Sequence, residues 1–351
     1  MRWGGRVAGA AVALLALVLA GCASPVSKVI AGSTITVAYD EPFTSLNATA
    51  QITGIEANRE LAEAVLAGFT SVDSSGARVP DRSFGTITVL SRHPLAVRYT
   101  VADGVRWSDG APVDAVDLLL AWAAGSGRFP AFDVQRPALG LALASGMPTI
   151  SEDRKSLTVV YDAAFADYET QFDGVLPAHV VAQEALGVEG AEAAKDALID
   201  TVERAVNGDP ASLDDVASWW NTGFSLDAGS GVLLSDGPYR IASVVPGAEV
   251  TLVPNAKYAG THRPTYATIR LVTLDAPSAL QGIDAGEVQI ASLDATAPTR
   301  AAVAKTDPAV FDAGDDAERI VAMARAVVRG VVPGPDGTGL LWNAWAWSPA
   351  R

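Results

Sequence analysis

The stretch VRWSDGAPVDAVDLLLAWAA, residues 105–124, contains the densest set of folding signals in the chain. Its Ser-Asp-Gly is typical of a tight turn, in which glycine can take a positive φ. Asp114 is a good helix N-cap, and Asp117 stands three residues later, as in a capping box. Three apolar residues then have the spacing of a buried helical stripe: Leu118, Leu119 and Trp122. Because the stretch has no histidine, cysteine or obvious nucleophile, we interpret it as architecture and not as a reactive site.

The rest of the chain indicates a mixed α/β fold without strict strand–helix alternation. Apolar and polar residues alternate through Ile35, Val37 and Tyr39, which predicts a half-buried strand that pairs with strands near residues 237–255. Pro246-Gly247 predicts a hairpin between two of the later strands. The further predicted strands lie at 86–90, 95–101, 156–161, 237–245, 248–255 and 268–274. The predicted helices lie within 54–70, 169–186, 187–222 and 276–288.

The composition excludes some classes of function. The chain has 351 residues, of which 49% are hydrophobic and 19% charged, as in globular proteins of more than one packed unit. The formal net charge of −15 leaves no basic surface for phosphates, so we expect no nucleic-acid partner.

The amino-terminal segment has the features of a lipoprotein signal. Arg2 and Arg6 precede an apolar run over residues 7–20, which is too short for a membrane span and suits a signal h-region. Cys22, the only cysteine of the chain, follows directly after small residues, which predicts cleavage after residue 21 and a lipid on its thiol. The alternative is an ordinary secretory signal with a chance cysteine. With residues 22–33 as a tether, the protein would be extracytoplasmic and held at the bacterial membrane by lipid.

Four segments together carry a resemblance to a known family. GVRWSDGAPVDAVDLLLAW, residues 104–122, resembles a signature of the extracellular solute-binding proteins of family 5, the peptide-, nickel- and oligosaccharide-binding lipoproteins of ABC importers. Asp114 stands where a threonine cap is common in that family. The segment over 235–260 is similar to the family's Gly-Pro-Tyr strand and Pro-Gly hairpin. The segment over 276–291 is similar to its helix and turn, with Gln289 in place of the usual aspartate, and ITVAYDEPFTSLN resembles its first strand.

The resemblance, which runs from about residue 33 to about residue 312, implies a periplasmic-binding-protein-like fold of type II, cluster C. That α/β fold consists of a mixed-sheet lobe with an inserted subdomain and a second lobe, which would here be largely missing. The implied segments are a signal peptide at 1–21, a tether at 22–33, one discontinuous lobe at 34–60 and 165–273, a subdomain at 61–164 and the start of the second lobe at 274–316. Residues 317–351 would be an aberrant tail.

The composition of that tail indicates a change of reading frame. Three of the eight tryptophans of the chain fall in its last ten residues: Trp342, Trp345 and Trp347. We interpret this change of composition as a frameshift near residue 312, and a divergent natural tail is the alternative.

The resemblance also implies a role and a site. In peptide binders of this family the segment after the first strand pairs with the ligand backbone, and here that segment is Asp40, Glu41, Pro42, Phe43 and Thr44. The partners would be a peptide or another small oligomeric ligand and an ABC permease, and we expect a monomer without a cofactor. The three histidines are far apart, and no nucleophile–base motif is present, so we expect neither a metal site nor an enzyme. A secreted lipoprotein hydrolase and a non-functional gene fragment remain the alternatives.

Overall fold

The computed structural model describes residues 29–73, 77–134, 139–144, 146–227, 232–306, 309–312 and 319–324, and four two-residue strands closer to the carboxyl end. The predicted signal peptide and Cys22 lie outside the described residues. In that part of the chain, none of the helices combines the length and the apolar composition that a membrane crossing requires.

The described elements alternate irregularly between strands and helices. In chain order the strands are β1 (Ile30–Tyr39), β2 (Thr70–Val72), β3 (Arg78–Pro80), β4 (Gly85–Arg92), β5 (Leu95–Val101), β6 (Thr149–Ile150), β7 (Ser156–Tyr161), β8 (Tyr239–Val245), β9 (Glu249–Pro254), β10 (Tyr266–Thr273), β11 (Ile290–Asp294), β12 (Ala309–Asp312), β13 (Arg319–Met323), β14 (Val328–Arg329), β15 (Val332–Pro333), β16 (Leu340–Leu341) and β17 (Ser348–Pro349). The helices are α1 (Glu56–Val65), α2 (Ala115–Gly125), α3 (Leu139–Ala142), α4 (Ala178–Leu186), α5 (Ala191–Val206), α6 (Asp214–Thr222), α7 (Ala276–Ala285) and α8 (Ala297–Thr306).

A seven-stranded mixed sheet has the order β12-β13-β11-β1-β10-β9-β8. Strand β1 lies inside it and is parallel to both neighbours, with Val37 opposite Leu271 of β10 and Ile290 of β11. Residues 35–39 are all buried, because a parallel strand inside a sheet is covered on both faces. The expectation of a half-buried strand was therefore wrong for these residues. The expected direct pairing of β1 with residues 237–255 was also wrong, since β10 lies between β1 and β9.

The segment that we assigned to the start of a second lobe extends this same sheet. Strand β11 is the parallel neighbour of β1, and β13, from the expected aberrant tail, is antiparallel to β11. All five residues of β13 are buried, as in an interior strand. The physical reason is that β1 has two hydrogen-bonding edges, and β10 satisfies one of them only. Helices α7 and α8 cover one face of this part of the sheet through a second apolar cluster that includes Leu280, Ile283 and Val303.

The predicted hairpin is confirmed. Strands β8 and β9 are antiparallel, and Val244 pairs with Val250 across the turn at Pro246-Gly247. Gly247 has a φ of 68°, the left-handed conformation that glycine adopts without strain.

A separate four-stranded antiparallel sheet has the order β4-β5-β7-β6. Its inward residues, among them Val97, Tyr99 and Val159, belong to the same contiguous apolar cluster as Ile35 and Val37 of the large sheet. One core therefore connects the two sheets, and the predicted division into a lobe and an inserted subdomain stays a prediction.

The stretch 105–124 folds as predicted, and one of its carboxylates also binds the start of a second helix. The Asp114 carboxylate accepts the Val116 N–H at 2.9 Å, and the Asp117 carboxylate accepts the Asp114 N–H at 2.9 Å, which completes the capping box of α2. The second oxygen of Asp117 accepts the N–H of Ala178, the first residue of α4, at 2.8 Å. This one carboxylate therefore connects the amino-terminal ends of two helices.

The ammonium group of Lys195, from α5, completes this cluster. Its Nζ lies 2.9 Å from a carboxylate oxygen of Asp114, from one of Asp117 and from the Pro112 carbonyl oxygen, so each of its three N–H groups has a partner. The Lys195 side chain is fully buried. Burial, followed by repulsion from Asp117, raises the pKa of Asp114 to about 6. Because two carboxylates share one ammonium, the loss of Lys195 would leave buried negative charge without compensation.

Candidate functional site

The predicted ligand segment, residues 40–44, continues directly from the carboxyl end of β1. The Phe43 side chain is buried and contacts Tyr39 edge to face, with 5.1 Å between ring centroids. The Glu41 carboxylate accepts the N–H of Ala57 at 3.3 Å, at the beginning of α1. A negative charge at that position stabilises the start of a helix, since the first N–H groups have no partner within the helix.

Both ends of the segment are fixed by hydrogen bonds. At the far end, the N–H of Thr44 donates to Asn58 Oδ1 at 2.8 Å, and the Thr44 carbonyl accepts the N–H of Leu226 at 2.9 Å. Between the ends, the described residues give no hydrogen bond to the backbone N–H or C=O of Glu41 and Phe43. The segment thus leaves backbone groups of Glu41 and Phe43 without a partner among the described residues, and of these two residues Phe43 is buried.

At the near end, Asp40 is held by an arginine from β13. The Arg319 Nη2 lies 2.8 Å from Asp40 Oδ1, and Arg319 Nη1 lies 2.8 Å from Asp294 Oδ1. The same guanidinium donates to the hydroxyl of Ser292 at 2.9 Å and to its carbonyl oxygen at 2.7 Å. Burial alone would lower the pKa of Arg319, but the neighbouring Asp40 and Asp294 raise it, so the group stays charged.

In this arrangement the Asp40 side chain has its hydrogen-bond partners within the protein. Its second carboxylate oxygen accepts the N–H of Asp294 at 2.6 Å, so both oxygens are engaged. Arg319 thereby connects the ends of β1 and β11 with the beginning of β13 at one edge of the sheet. Of the five predicted site residues, Pro42 is exposed, and the side chains of the other four have structural partners. The Thr44 hydroxyl accepts a hydrogen bond from Asn58 Nδ2 at 2.8 Å.

The turn of the opening stretch packs against the Gly-Pro-Tyr segment. The Ser108 hydroxyl accepts the N–H of Ser235 at 3.2 Å, and Asp109 Oδ2 lies 2.9 Å from Nε2 of the buried His179. Gly237 lies so close to α1 that a Cβ placed there would be 2.8 Å from the Val65 carbonyl oxygen. The two resembling segments are therefore neighbours in space, and the second of them packs against α1.

The sequence analysis did not identify the structural roles of Lys195 and Arg319. Lys195 occupies the buried stripe of α5, whose other members include Ala194, Leu198 and Val202. A lysine in an apolar helical stripe was a readable signal for a buried ion pair. Arg319 gave no such signal, because its partners lie far from it in the chain.

Comparison with known proteins agrees with this scaffold. The model of the family described as bacterial extracellular solute-binding proteins, family 5 Middle, matches residues 89–319. An uncharacterized lipoprotein of Mycobacterium tuberculosis is 29% identical over 264 residues, which are 73% of this chain and 44% of the relative. An uncharacterized lipoprotein of Mycobacterium leprae is 31% identical over 255 residues, which are 71% of this chain and 44% of the relative.

Solved structures show the same fold. The periplasmic EDTA-binding protein EppA aligns with a TM-score of 0.63 at 21% identity, over 79% of this chain and 46% of its own. The oligopeptide-binding protein AppA from Bacillus subtilis, in complex with a nonapeptide, aligns with a TM-score of 0.57 at 15% identity, over 79% of this chain and 47% of its own. The periplasmic-binding-protein-like fold is therefore confirmed, and the chain spans less than half the length of these relatives. Since the family model covers more than half of the chain, including the opening stretch, the chain belongs to the bacterial extracellular solute-binding proteins of family 5.

Proposed function

We propose that the chain is part of a substrate-binding lipoprotein of an ABC importer whose ligands are dipeptides or oligopeptides. The observation that carries the proposal is the ligand segment, in which the backbone groups of Glu41 and Phe43 have no hydrogen-bond partner among the described residues, between two fixed ends. An extended peptide pairs with such a segment through main-chain hydrogen bonds. The family supports the transport role, and the nonapeptide bound by AppA supports the ligand class.

The proposed mechanism is closure of two lobes on the ligand, followed by docking to a permease in the membrane. The ligand segment lies at the edge of the large sheet, where the ends of β1 and β11 meet. A second lobe would cover this edge and bury most of the ligand surface, on the order of 70–90% as in other small-ligand sites. We propose that the 351-residue chain supplies one wall of that cleft and that binding by this wall alone is too weak for a transport receptor.

Calorimetry with peptides tests this proposal. An intact two-lobed protein with micromolar affinity has a binding free energy of about −8 kcal/mol, and the loss of half the contacts leaves about −4 kcal/mol, or millimolar affinity. We therefore expect millimolar or weaker binding of a pool of di- to pentapeptides by residues 22–351. A chimera that adds the second lobe of a full-length relative should bind in the micromolar range.

Two outcomes would contradict the proposal. Micromolar binding by residues 22–351 alone would show that one wall of the cleft is sufficient for tight binding. If the folded chimera binds none of the peptides, the ligand class is wrong, and EDTA, as the ligand that EppA is named for, is the next compound to titrate.

Membrane attachment through Cys22 is a separate proposal with its own test. We expect the precursor, expressed in a bacterium, to lose residues 1–21 and to gain lipid on Cys22. Substitution Cys22→Ala should move the protein from the membrane fraction to the soluble extracytoplasmic fraction, since two hydrocarbon chains provide the attachment. Ala23→Ser serves as the control and should stay with the membrane. If Cys22→Ala still fractionates with membranes, the lipid anchor is not what holds the protein there.

A further inference from the structure

A cavity of about 270 Å³ lies between α1 and the small hairpin of β2 and β3. None of residues 40–44 lines it. One wall is the outer face of α1, where Arg59 and Glu63 stand one turn apart and therefore on the same side of the helix. The opposite wall includes Val72 of β2 and Arg78 of β3. The volume is close to the lower end of the range of small-molecule pockets, about 300–1,000 Å³.

Most charged groups of this lining are already neutralised within the protein. Arg59 is paired with Glu56 and donates to the Gly54 carbonyl oxygen at 2.8 Å. His262 lies 3.3 Å from Asp81. Among the charged side chains of the lining, only Glu63 makes neither a hydrogen bond nor an ion pair with the described residues. Its carboxylate is therefore free to meet a positively charged group inside the cavity.

Arg78 supplies the complementary charge across the cavity. Its Nη1 lies 3.1 Å from Asp173 Oδ2 and donates to the Thr70 hydroxyl at 2.7 Å. The described residues give no partner to its Nε and Nη2, and its side chain is 53% exposed. A guanidinium with two unused donors is well suited to a carboxylate, which it can bind with two parallel hydrogen bonds. Ala62, Leu66 and Val72 add apolar surface to the same lining.

We infer that this cavity binds a small zwitterion of the amino-acid type, with its ammonium group on Glu63 and its carboxylate on Arg78. The apolar side chain of such a ligand would lie against Ala62, Leu66 and Val72. Residues 40–44 are not part of this site, so the inference does not depend on the proposed transport function. Glu63 is exposed at the mouth of the cavity. Desolvation, followed by repulsion from Glu56 and a smaller repulsion from Asp173, raises its pKa to about 7 against the opposing charges of Arg78 and Arg59. Binding of the ammonium therefore requires loss of a proton near neutral pH, and affinity should rise between pH 6 and pH 8.

Titration of the mature chain with L-leucine tests the inference, by calorimetry or by NMR shifts. We expect a dissociation constant of about 1 mM or tighter at pH 8. Two analogues test each charge separately, because 3-methylbutylamine lacks the carboxylate and 4-methylpentanoate lacks the ammonium. Each should bind at least about tenfold more weakly than leucine, since a charge-assisted hydrogen bond is lost.

Variants then locate the site. Glu63→Gln should weaken leucine binding at least about tenfold and abolish its dependence on pH, because the titrating carboxylate is gone. Arg78→Lys keeps the charge beside Asp173 but loses the planar fork, and should also weaken binding. Glu152→Gln, on an exposed turn, is the matched control and should bind like the parent chain. Thermal unfolding establishes that each variant is folded. The absence of leucine binding in the parent chain, or unchanged binding in a folded Glu63→Gln, would overturn the inference.

Discussion

Substitution Lys195→Met is expected to lower the free energy of unfolding by about 3–5 kcal/mol, the cost that follows when one partner of a buried ion pair is removed. The side chain is fully buried and compensates two carboxylates, Asp114 and Asp117, that hold the amino-terminal ends of α2 and α4. Methionine fills a similar volume but leaves both carboxylates without a cation. Urea unfolding of the parent chain and the variant measures the difference directly.

The controls for this prediction use the same residue types. Lys155→Met removes an exposed ion pair with Asp103 and should change stability little, because water screens such a pair. Adding Asp114→Asn to Lys195→Met removes one of the two stranded charges and should recover part of the loss. If Lys195→Met unfolds at the same urea concentration as the parent chain, the ammonium does not stabilise this cluster in solution.

Substitution Asp236→Asn is expected to stabilise the protein at neutral pH. Asp236 is buried beside the Gly-Pro-Tyr segment, where one of its oxygens accepts the N–H of Ala67 at 2.9 Å and the other has no partner in the described residues. Burial raises its pKa from 3.8 to about 8. At pH 7 the carboxyl group is therefore neutral in the folded state and ionised in the unfolded state, which costs on the order of 4 kcal/mol of stability.

The sign of the pH dependence follows from these two pKa values. Below pH 3.8 the carboxyl group is protonated in both states, so it does not penalise folding. As the pH rises towards 8, the unfolded state ionises first and the stability of the parent chain falls. Asparagine keeps the shape and the hydrogen bond from Ala67 without this penalty. Unfolding at pH 4 and pH 7 should thus show similar stability at the acid end and a more stable variant at neutral pH.

The exposed Asp284→Asn is the control for this second comparison and should show no such divergence between the two pH values. A parent chain and an Asp236→Asn variant whose stabilities stay parallel from pH 4 to pH 8 would show that Asp236 ionises normally when folded. In that case the unpartnered oxygen would have access to water.

Local features of the fold were readable in the sequence because their signals lie within a few residues of one another. The cap at Asp114 and Asp117 and the hairpin at Pro246-Gly247 are examples, and both were predicted to the residue. The position of the ligand segment after β1 followed from the resemblance, and its role stays a prediction.

Long-range features could not be read in the same way. The alternation in β1 is compatible with either a half-buried or a fully buried strand, and the elements that cover its two faces decide between them. Ala38, on the second face, packs in the cluster of α7 and α8, which come from a distant part of the chain. The same limitation concealed Arg319, whose effect depends on Asp40 and Asp294 lying beside it. It also led us to place residues 274–316 in a second lobe, although β11 pairs with β1.

The inner position of β1 also has a consequence for the order in which the protein folds. Thr34 pairs with Thr268, and Val37 pairs with Ile290, so the large sheet joins parts of the chain that are more than 230 residues apart. Closing so long a loop is entropically costly and slow, whereas β4 and β5 of the smaller sheet are joined by a turn, and β7 is much closer to β5 in the chain than β10 is to β1. A chain synthesised from its amino-terminal end would form the smaller sheet first, and β1 would stay unpaired until β10 and β11 are made. Such a delay would suit a precursor that crosses a membrane before it folds, as the proposed amino-terminal signal implies, because β1 pairs only with residues that are synthesised much later.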